Sequence, residues 1–548
     1  MPEAVQEKKE QKLIKLKVDG KEIEVKPGTR LIEAARMTQE DVPYYCYHPG
    51  LSIAGNCRMC QVEIEGQPKL QIACHIEAKE GMVVHTKNEK VLKTRQHTLE
   101  FLLINHPVDC PVCDQAGECW LQDYYMKHGL YNSRLNEDKV SKPKAVPIGP
   151  NVMLDAERCI LCSRCVRFTD EISKTRELGI ANRGDHSEVQ VFPGKQLDNP
   201  YSGNVVDICP VGALTDRDFR FKIRVWYLKS GDSICTGCSR GCNVQVHYNL
   251  DRPQHGTGRV KRLKPRYNPE VNQWWMCDEG RYGYKFHDEN RILAARRNLR
   301  QAIYTDVLQE AAAQLKAGKK IAVFLSPQMT NEELYLAQKL FRDELKSTAM
   351  VLVSPKPEGT ADDLLRKADK NPNTKGAELL SFFGNNSELQ KVFNQTASGE
   401  IDQWVVFGQD LLTQFPAAKE SFPKLKSVLF VGSNENAMSL QAHFVLPSAT
   451  VIEKSGTLTN FEGRVQSFGK ILEPMGEACA AIQILTDLAR SLGLKWEAMS
   501  AEKIYQELTS KEEAFPKKSF SELSGVPSEI RVQAAPTIPA LQQYDNIL

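Results

Sequence analysis

Several features are missing or scarce in this sequence. Charge of one sign is not in excess: 71 Lys and Arg stand against 69 Asp and Glu, a net of +2 over 548 residues. Neither nucleic acid nor an anionic membrane surface is therefore expected as the main partner. No apolar run reaches the roughly 18 residues that a spanning helix needs, so no direct membrane span is expected. The first residues, MPEAVQEKKEQKLIK, lack an apolar h-region and an Arg/Ser-rich character, which makes the cytoplasm the expected compartment. There is no G-x-G-x-x-G and no G-x4-G-K-[ST], so dinucleotide and nucleoside triphosphate sites are not expected in this chain. Cysteine is almost missing from the second half: of 16, only Cys479 lies beyond Cys277.

What is present is the crowding of the other fifteen between residues 46 and 277. In a reducing compartment such density points to metal rather than to disulfides. The cysteines sort by spacing into groups. Cys46, Cys57, Cys60 and Cys74 form C-x10-C-x2-C-x13-C; His106, Cys110, Cys113 and Cys119 form H-x3-C-x2-C-x5-C. Cys159, Cys162 and Cys165 form C-x2-C-x2-C, with Cys209 following in ICPVGAL; Cys235, Cys238 and Cys242 form C-x2-C-x3-C, with Cys277 following in WWMCDEG. Fifteen cysteines and one histidine make four tetrads with none left over. Zinc is the alternative, because it also takes four Cys/His ligands. Structural zinc favours two C-x2-C knuckles across a longer loop, whereas C-x2-C-x2-C with a distant Cys-Pro matches half of a bacterial ferredoxin pattern. Iron is therefore the expected metal at all four tetrads. CILCSRCVRFTD has no Cys-Pro three residues on, so Cys209 is the simplest fourth ligand of the third tetrad; an interleaved pairing with a neighbouring tetrad is the alternative.

The first tetrad has a distinct setting. KLIKLKVDGKEIEVK alternates Ile14, Leu16, Val18 and then Ile23, Val25 about Asp19-Gly20, which predicts a hairpin. TRLIEAARM predicts a short helix, and RMCQVEIEG, KLQIACHI and GMVVHTK predict strands. Together they give a β-grasp, the fold of plant-type ferredoxins, with a longer loop between the first two cysteines, and a [2Fe–2S] cluster is the expected cofactor. In the second tetrad, His106 follows NEKVLKTRQHTLEFLLIN, an amphipathic helix with Val91, Leu99, Leu102 and Leu103 inward. A neutral imidazole in place of a thiolate lowers the negative charge of a cluster and raises its potential. The competing role for His106 is a helix-end cap before Pro107. His48, His75, His85 and His97 have no cysteine company of this kind and are expected to be structural or solvated.

The phrases YYCYHPGLS, EFLLINHPVDCPVCDQAGECWLQD, CILCSRCVRFTDEI, NVVDICPVGALTDRDFRF and WWMCDEGRYGY resemble the large iron–sulfur subunit of NADH:quinone oxidoreductase, respiratory complex I, over residues 13 to 286. The resemblance implies one [2Fe–2S] and three [4Fe–4S] clusters passing electrons within a large complex. Iron hydrogenases, NAD-linked hydrogenase subunits and some formate dehydrogenases share this N-terminal block. It further implies a flavin- and NADH-binding subunit, a small [2Fe–2S] subunit and quinone-side iron–sulfur subunits as partners. The expected location is then peripheral, at the inner face of the cell membrane. The fourth cluster, at Cys235, Cys238, Cys242 and Cys277, is expected off the main electron path.

Residues 287 to 548 alternate strand and helix signals. KKIAVFLSP, AMVLVSP, IDQWVVFG and KSVLFVGS predict buried parallel strands, and TNEELYLAQKLFRDEL predicts a helix with a Thr330-x-x-Glu333 capping box. VLPSATVIEKSGTLTNFEGRVQ and TNEE resemble segments of molybdopterin oxidoreductases. No molybdopterin is expected, because the region is short, because Cys479 looks like a small buried helix residue, and because Asp278-Glu279-Gly280 follows Cys277 where active relatives resemble C-x-K-G. No hydrogenase cluster motif is present. The expected class is α+β and α/β multidomain. Its predicted parts are a β-grasp [2Fe–2S] ferredoxin domain (1–87), a [4Fe–4S] segment with one histidine and three cysteines (88–135), a ferredoxin-like [4Fe–4S] segment (136–227) and a fourth-cluster domain (228–290). A degenerate molybdopterin-oxidoreductase-like α/β domain (291–512) and a Pro/Ser-rich tail (513–548), read as a linker or an arm over a partner, complete the chain. No independent catalytic site is expected. The catalytic subunit of a formate dehydrogenase and an assembly scaffold with structural clusters are the alternatives.

Overall fold

The computed structural model describes residues 12–251 and 258–524. The chain divides into two units, one up to Tyr227 and one from Leu228.

The first unit begins with a five-stranded sheet in the order Lys21–Val25, Ile14–Val18, Val83–His85, Gln61–Ile64, Gln71–Ile72. Asp19 and Gly20 turn the first hairpin with φ of 47° and 82°, the left-handed pair that a two-residue hairpin needs. Asp19 then closes the sheet, its carboxylate accepting the Thr86 N–H at 2.7 Å. The Leu31–Met37 helix lays Leu31, Ile32, Ala34 and Ala35 on the inner strand residues Leu16, Val18, Val62, Ile64 and Val84. Burying each larger aliphatic group there contributes about 1.5–3 kcal/mol. This is the mixed sheet and helix of a β-grasp. The Glu89–Leu103 helix follows, capped by Asn88 accepting from Val91 N at 3.0 Å. The rest of the unit is built of short pieces: a three-stranded sheet in the order Leu214–Asp216, Val152–Leu154, Val146–Pro147, and a Leu178–Ala181/Glu188–Val191 hairpin.

In the second unit an antiparallel sheet, Lys229–Ile234, Asn243–Tyr248 and Val260–Pro265, precedes a seven-stranded one. Five strands of the larger sheet are parallel, in the order Ala349–Leu352, Ile321–Leu325, Gln403–Phe407, Ser427–Gly432, Phe444–Pro447. Numbered along the chain that order is 2-1-3-4-5, a doubly wound α/β sheet. Its strands read as continuous apolar runs because both faces are covered. Val323, Val405, Leu429 and Leu446 face one core; Phe324, Trp404, Phe430 and Val445 face the other. The Asn331–Ala337 helix carries the complete Thr330/Glu333 capping box, then widens into π-type turns over Gln338–Glu344.

Two expectations are corrected here. Cys479 is not on a helix: it is half-buried, bridges Ser448 in extended conformation, and precedes the Ala481–Ser491 helix. Its neighbours Glu477 and Ala480 in GEACAAIQI are compatible with a helix, but the chain is held extended by Ala449 N–H donating to Cys479 O at 2.9 Å. The expected tail starting at 513 is folded through residue 524. Phe515 and Leu523 are buried in the α/β core, Phe520 packs against it, and Phe520–Leu523 is a short helix with a Ser519/Glu522 capping box. These three apolar anchors outweigh the Pro/Ser-rich composition. The remainder of that tail lies outside the described residues.

Candidate metal-cluster centres

In the first tetrad the loop between the sheet strands folds Cys46, Cys57, Cys60 and Cys74 together. The four thiols lie close enough to shift one another's ionisation, Cys57 and Cys74 acting on Cys46 and Cys74 on Cys60. The Cys46 N–H also reaches Cys57 Sγ at 3.5 Å. Gly55 and Arg58, both at positive φ, let the loop wrap inward. Arg164 donates to Tyr47 O at 2.6 Å and Arg167 to Cys46 O, so two guanidinium groups stand at the edge of this ring.

In the second tetrad a 3-10 turn, Cys110–Val112, presents Cys110 and Cys113, and Cys119 sits at the N-cap of the Trp120–His128 helix. The three thiols are close enough to perturb one another electrostatically. His106 lies beyond the end of its helix, whose C-cap is Ile104. Its Nδ1 is buried with no hydrogen-bond partner, and burial pulls its imidazolium down to about 4, against the pull of Asp109. A buried, neutral, unpartnered imidazole nitrogen suits a metal ligand better than it suits a helix cap.

In the third tetrad Cys159, Cys162, Cys165 and Cys209 line one internal space with Leu154, Val189 and Val211. Leu161 and Ser163 have φ of 54° and 59°; these two left-handed residues coil the CILCSRC loop around the space. The Leu161 N–H points at Cys159 Sγ at 3.4 Å.

In the fourth tetrad Cys235, Cys238, Cys242 and Cys277 line a second such space with Gly237, Gly280, Glu279 and Leu365. Gly237 N–H and Gly280 N–H each reach a cysteine sulfur at 3.4 Å. Such N–H···S contacts stabilise negative charge on sulfur. Glu279 beside this ring is compensated: Lys370 Nζ pairs with it at 2.7 Å.

Burial makes most of these thiols resist ionisation. Burial pushes Cys119, Cys159 and Cys277 up to about 12, and Cys209 and Cys235 up to about 11. A bound metal reverses that preference by holding the thiolate. Among the described residues no group of three or more His, Cys, Asp or Glu closes to the reach of one metal ion. The donor sets are soft, buried and wrapped by N–H groups, and they fit iron–sulfur clusters. Of the other histidines, His48 is held neutral by burial and by Arg164 and Arg167, and His85 pairs with Glu65 at 2.8 Å.

Sequence reasoning missed the glycines that let backbone approach the sulfurs. A Cβ on Gly212 would lie 2.2 Å from Cys113 Sγ, and one on Gly280 would lie 2.9 Å from Cys235 Sγ. The signal was in the CPVGAL and CDEG phrases, where a small residue follows a ligand within three positions.

The fold and these rings define an iron–sulfur protein built from ferredoxin-type and molybdopterin-oxidoreductase-type modules. Comparison with known families supports the division. The 2Fe-2S iron-sulfur cluster binding domain matches residues 11–89, and the NADH-ubiquinone oxidoreductase-G iron-sulfur binding region matches 95–134. The NADH-quinone oxidoreductase subunit 3 ferredoxin-like domain matches 149–215. The molybdopterin oxidoreductase Fe4S4 domain matches 228–289, and molybdopterin oxidoreductase itself 366–491. The chain is similar to the G-type subunits of NADH-quinone oxidoreductase. The G-type subunit from Rickettsia felis is 38% identical over 60% of this chain and 49% of its own length. That from Rickettsia conorii is 29% identical over 87% of both. The mitochondrial NADH-ubiquinone oxidoreductase 78 kDa subunit of Candida albicans is 34% identical over 72% of this chain and 52% of its own. The chain thus spans about half the length of several curated relatives it matches. Among the described residues no helix is long and apolar enough to cross a membrane.

Proposed function

We propose that this chain is an electron-relay subunit of an NADH:quinone oxidoreductase. Cys46, Cys57, Cys60 and Cys74 hold one [2Fe–2S] cluster. Three [4Fe–4S] clusters are held by His106 with Cys110, Cys113 and Cys119, by Cys159, Cys162, Cys165 and Cys209, and by Cys235, Cys238, Cys242 and Cys277. Bound clusters supply one-electron chemistry. The chain's own residues fix ligand spacing, exclude water and set charge, and perform no bond chemistry. The observation that carries the reading is a shared core: Cys46, Cys119 and Cys162, from three different rings, are buried in one apolar cluster with Tyr45, Met59 and Val211. Three rings in one dry core suit serial electron transfer.

The partners are then a flavin- and NADH-binding subunit, a small [2Fe–2S] subunit and quinone-side iron–sulfur subunits. They would hold the chain at the inner face of the membrane. The fourth ring lies in the other unit and is read as off the main path. No molybdopterin is included in the reading. The competing reading, a formate dehydrogenase catalytic subunit, is favoured by one observation: a cavity of about 400 Å3 bordered by Cys235, Glu279, Lys356 and His287 in the molybdopterin-type unit. EPR of the purified complex, reduced with NADH and separately with dithionite, tests the proposal together with metal analysis. NADH-reducible iron–sulfur signals without molybdenum or tungsten support it. Stoichiometric molybdenum or tungsten with formate-dependent dye reduction overturns it.

A further inference from the structure

The fourth ring lies beneath a non-regular segment, residues 354–371, that no motif singled out. This segment is pinned in place. Ser239 N–H, next to Cys238, donates to Asp369 O at 2.9 Å, and Leu365 lines the ring itself. The Asp362 carboxylate accepts the N–H groups of Leu364, Leu365 and Arg366 at 3.0, 3.0 and 3.1 Å. Gly359 N–H donates to Ala368 O at 2.8 Å and doubles the segment back on itself.

The doubled segment, although neutral overall, brings basic side chains to the ring. Lys370, only 7% exposed, places Nζ 2.7 Å from Glu279, two residues after Cys277. Arg366 lies 3.9 Å from the same carboxylate. Lys356 Nζ donates to Thr236 O at 3.2 Å, between Cys235 and Cys238. Lys370 reaches its position because residue 359 has no side chain: a Cβ there would lie 2.2 Å from Lys370 Cε. The backbone of Gly359 is not in the left-handed region, so the glycine serves passage of the lysine stem rather than turn geometry.

We propose that the 354–371 segment is an electrostatic clamp on the fourth cluster, in which Lys356 and Lys370 offset Glu279 and the four thiolates and so hold the cluster's reduction potential up. Reduction adds one negative charge to a buried anionic site, and nearby cations favour that state. Lys356 and Lys370 are positioning residues in this sense: neither is a ligand, and each acts on the charge the ligands carry. The inference rests on the assignment of a [4Fe–4S] cluster to this ring.

The test is an EPR-monitored redox titration of the intact complex, the fourth cluster being the signal that Cys277→Ser removes. Lys356→Gln and Lys370→Gln each shift that midpoint downward, and the double variant shifts it further. Lys370→Arg keeps the charge and restores the wild-type midpoint. Glu279→Gln shifts it upward. Gly359→Ala displaces the Lys370 stem without changing charge and shifts it downward. An unmoved midpoint in the double variant, with the signal intact, overturns the clamp. Loss of the signal in Lys370→Gln but not in Lys370→Arg supports a requirement for charge; loss in both overturns it. If the wild-type ring holds no iron, the cluster assignment itself fails, and that result is read from metal content rather than from any midpoint.

Discussion

Gly212→Ala isolates steric approach from every other property of the site. The backbone of Gly212 is not left-handed, so alanine is conformationally acceptable there and, by restricting the unfolded chain, would favour folding by about 0.4–1 kcal/mol. Against this, the new Cβ would lie 2.2 Å from Cys113 Sγ and 3.1 Å from Gln115 Cβ. Ordinary contact is about 3.5–4.0 Å, so the sulfur or the CPVGAL loop must move by more than about 1 Å. Overpacking of this kind costs about 1–3 kcal/mol, which exceeds the gain. The larger effect falls on the ligand: metal–sulfur distances tolerate about 0.2 Å, several times less than the displacement. The expected result is loss of the cluster held with His106, a fall of about four iron atoms per chain, with the [2Fe–2S] signal kept. The assay is anaerobic iron analysis with EPR of the dithionite-reduced protein. Full iron content and an unchanged set of signals would refute the reasoning.

Other outcomes follow from the same geometry. The intact protein should hold about 14 iron atoms per chain, two in the two-iron centre and four in each of three others; about four zinc atoms with little iron would sink the assignment. His106→Cys should keep a four-iron cluster but lower its midpoint, because a thiolate replaces a neutral imidazole; an unchanged or raised midpoint would remove His106 from the ligand set. Cys277→Ser should erase one four-iron signal while turnover per assembled complex stays within about threefold, roughly 0.7 kcal/mol in barrier; a hundredfold fall would put the fourth cluster on the path. Glu332 is fully buried, and burial raises its carboxyl from 4.5 to about 7. The folded state therefore binds the proton more tightly, so stability falls as pH rises from about 4.5 to 7 and stays lower above, by an amount on the order of 3 kcal/mol. Hydrogen exchange of the Ser427–Gly432 strand should show that loss in the wild type and a flatter profile in Glu332→Gln; parallel pH profiles would refute it.

The β-grasp and the parallel strands were legible because their signals are local: an Asp19-Gly20 turn, alternating Ile14, Leu16 and Val18, and runs such as IAVFL and SVLFVG that need cover on both faces. Most of the sixteen proposed ligands could be nominated from spacing within short loops, whereas Cys74, Cys209 and Cys277 lie farther along the chain from their partners. What was not legible depends on contacts distant in sequence. Nothing near Glu279 announces Lys370, which is 91 residues away. Nothing near Gly212 announces Cys113. The folded part of the tail hid behind composition, since Phe515 and Leu523 reveal their role only when the α/β core is present to receive them. Likewise TNEE and SGTLTN resembled one superfamily separately. The fold zips them together, with Asn331 Nδ2 donating to Thr457 and Thr459 hydroxyls at 2.9 and 3.0 Å and Glu332 accepting from Thr457 N at 2.9 Å.

The basic residues at the rings share one physical cause. A buried ring of thiolates is an anion out of water, and such a charge needs compensation close by. Basic side chains supply it at every ring. Arg167 reaches Cys46 O and stands near the Cys162 thiol, so one guanidinium serves the first and third rings. Arg158 is held at the second ring by Asp109, with Nε donating at 2.9 Å, and Arg224 donates to Cys113 O. The fourth ring takes ammonium groups from Lys356 and Lys370 instead. A guanidinium presents a rigid planar fork that can bond two acceptors at once, whereas an ammonium is a compact point charge on a flexible stem. In the first unit Arg164 bonds Ile208 O and Tyr47 O, tying the loops of the third and first rings into one body while it compensates their charge. Replacing Arg164 with Lys would keep the charge and lose one of those ties. The expected result is two clusters made labile together, read as joint loss of the first and third signals on mild oxidation. Loss of one signal alone would show that the arginine supplies charge and not the join.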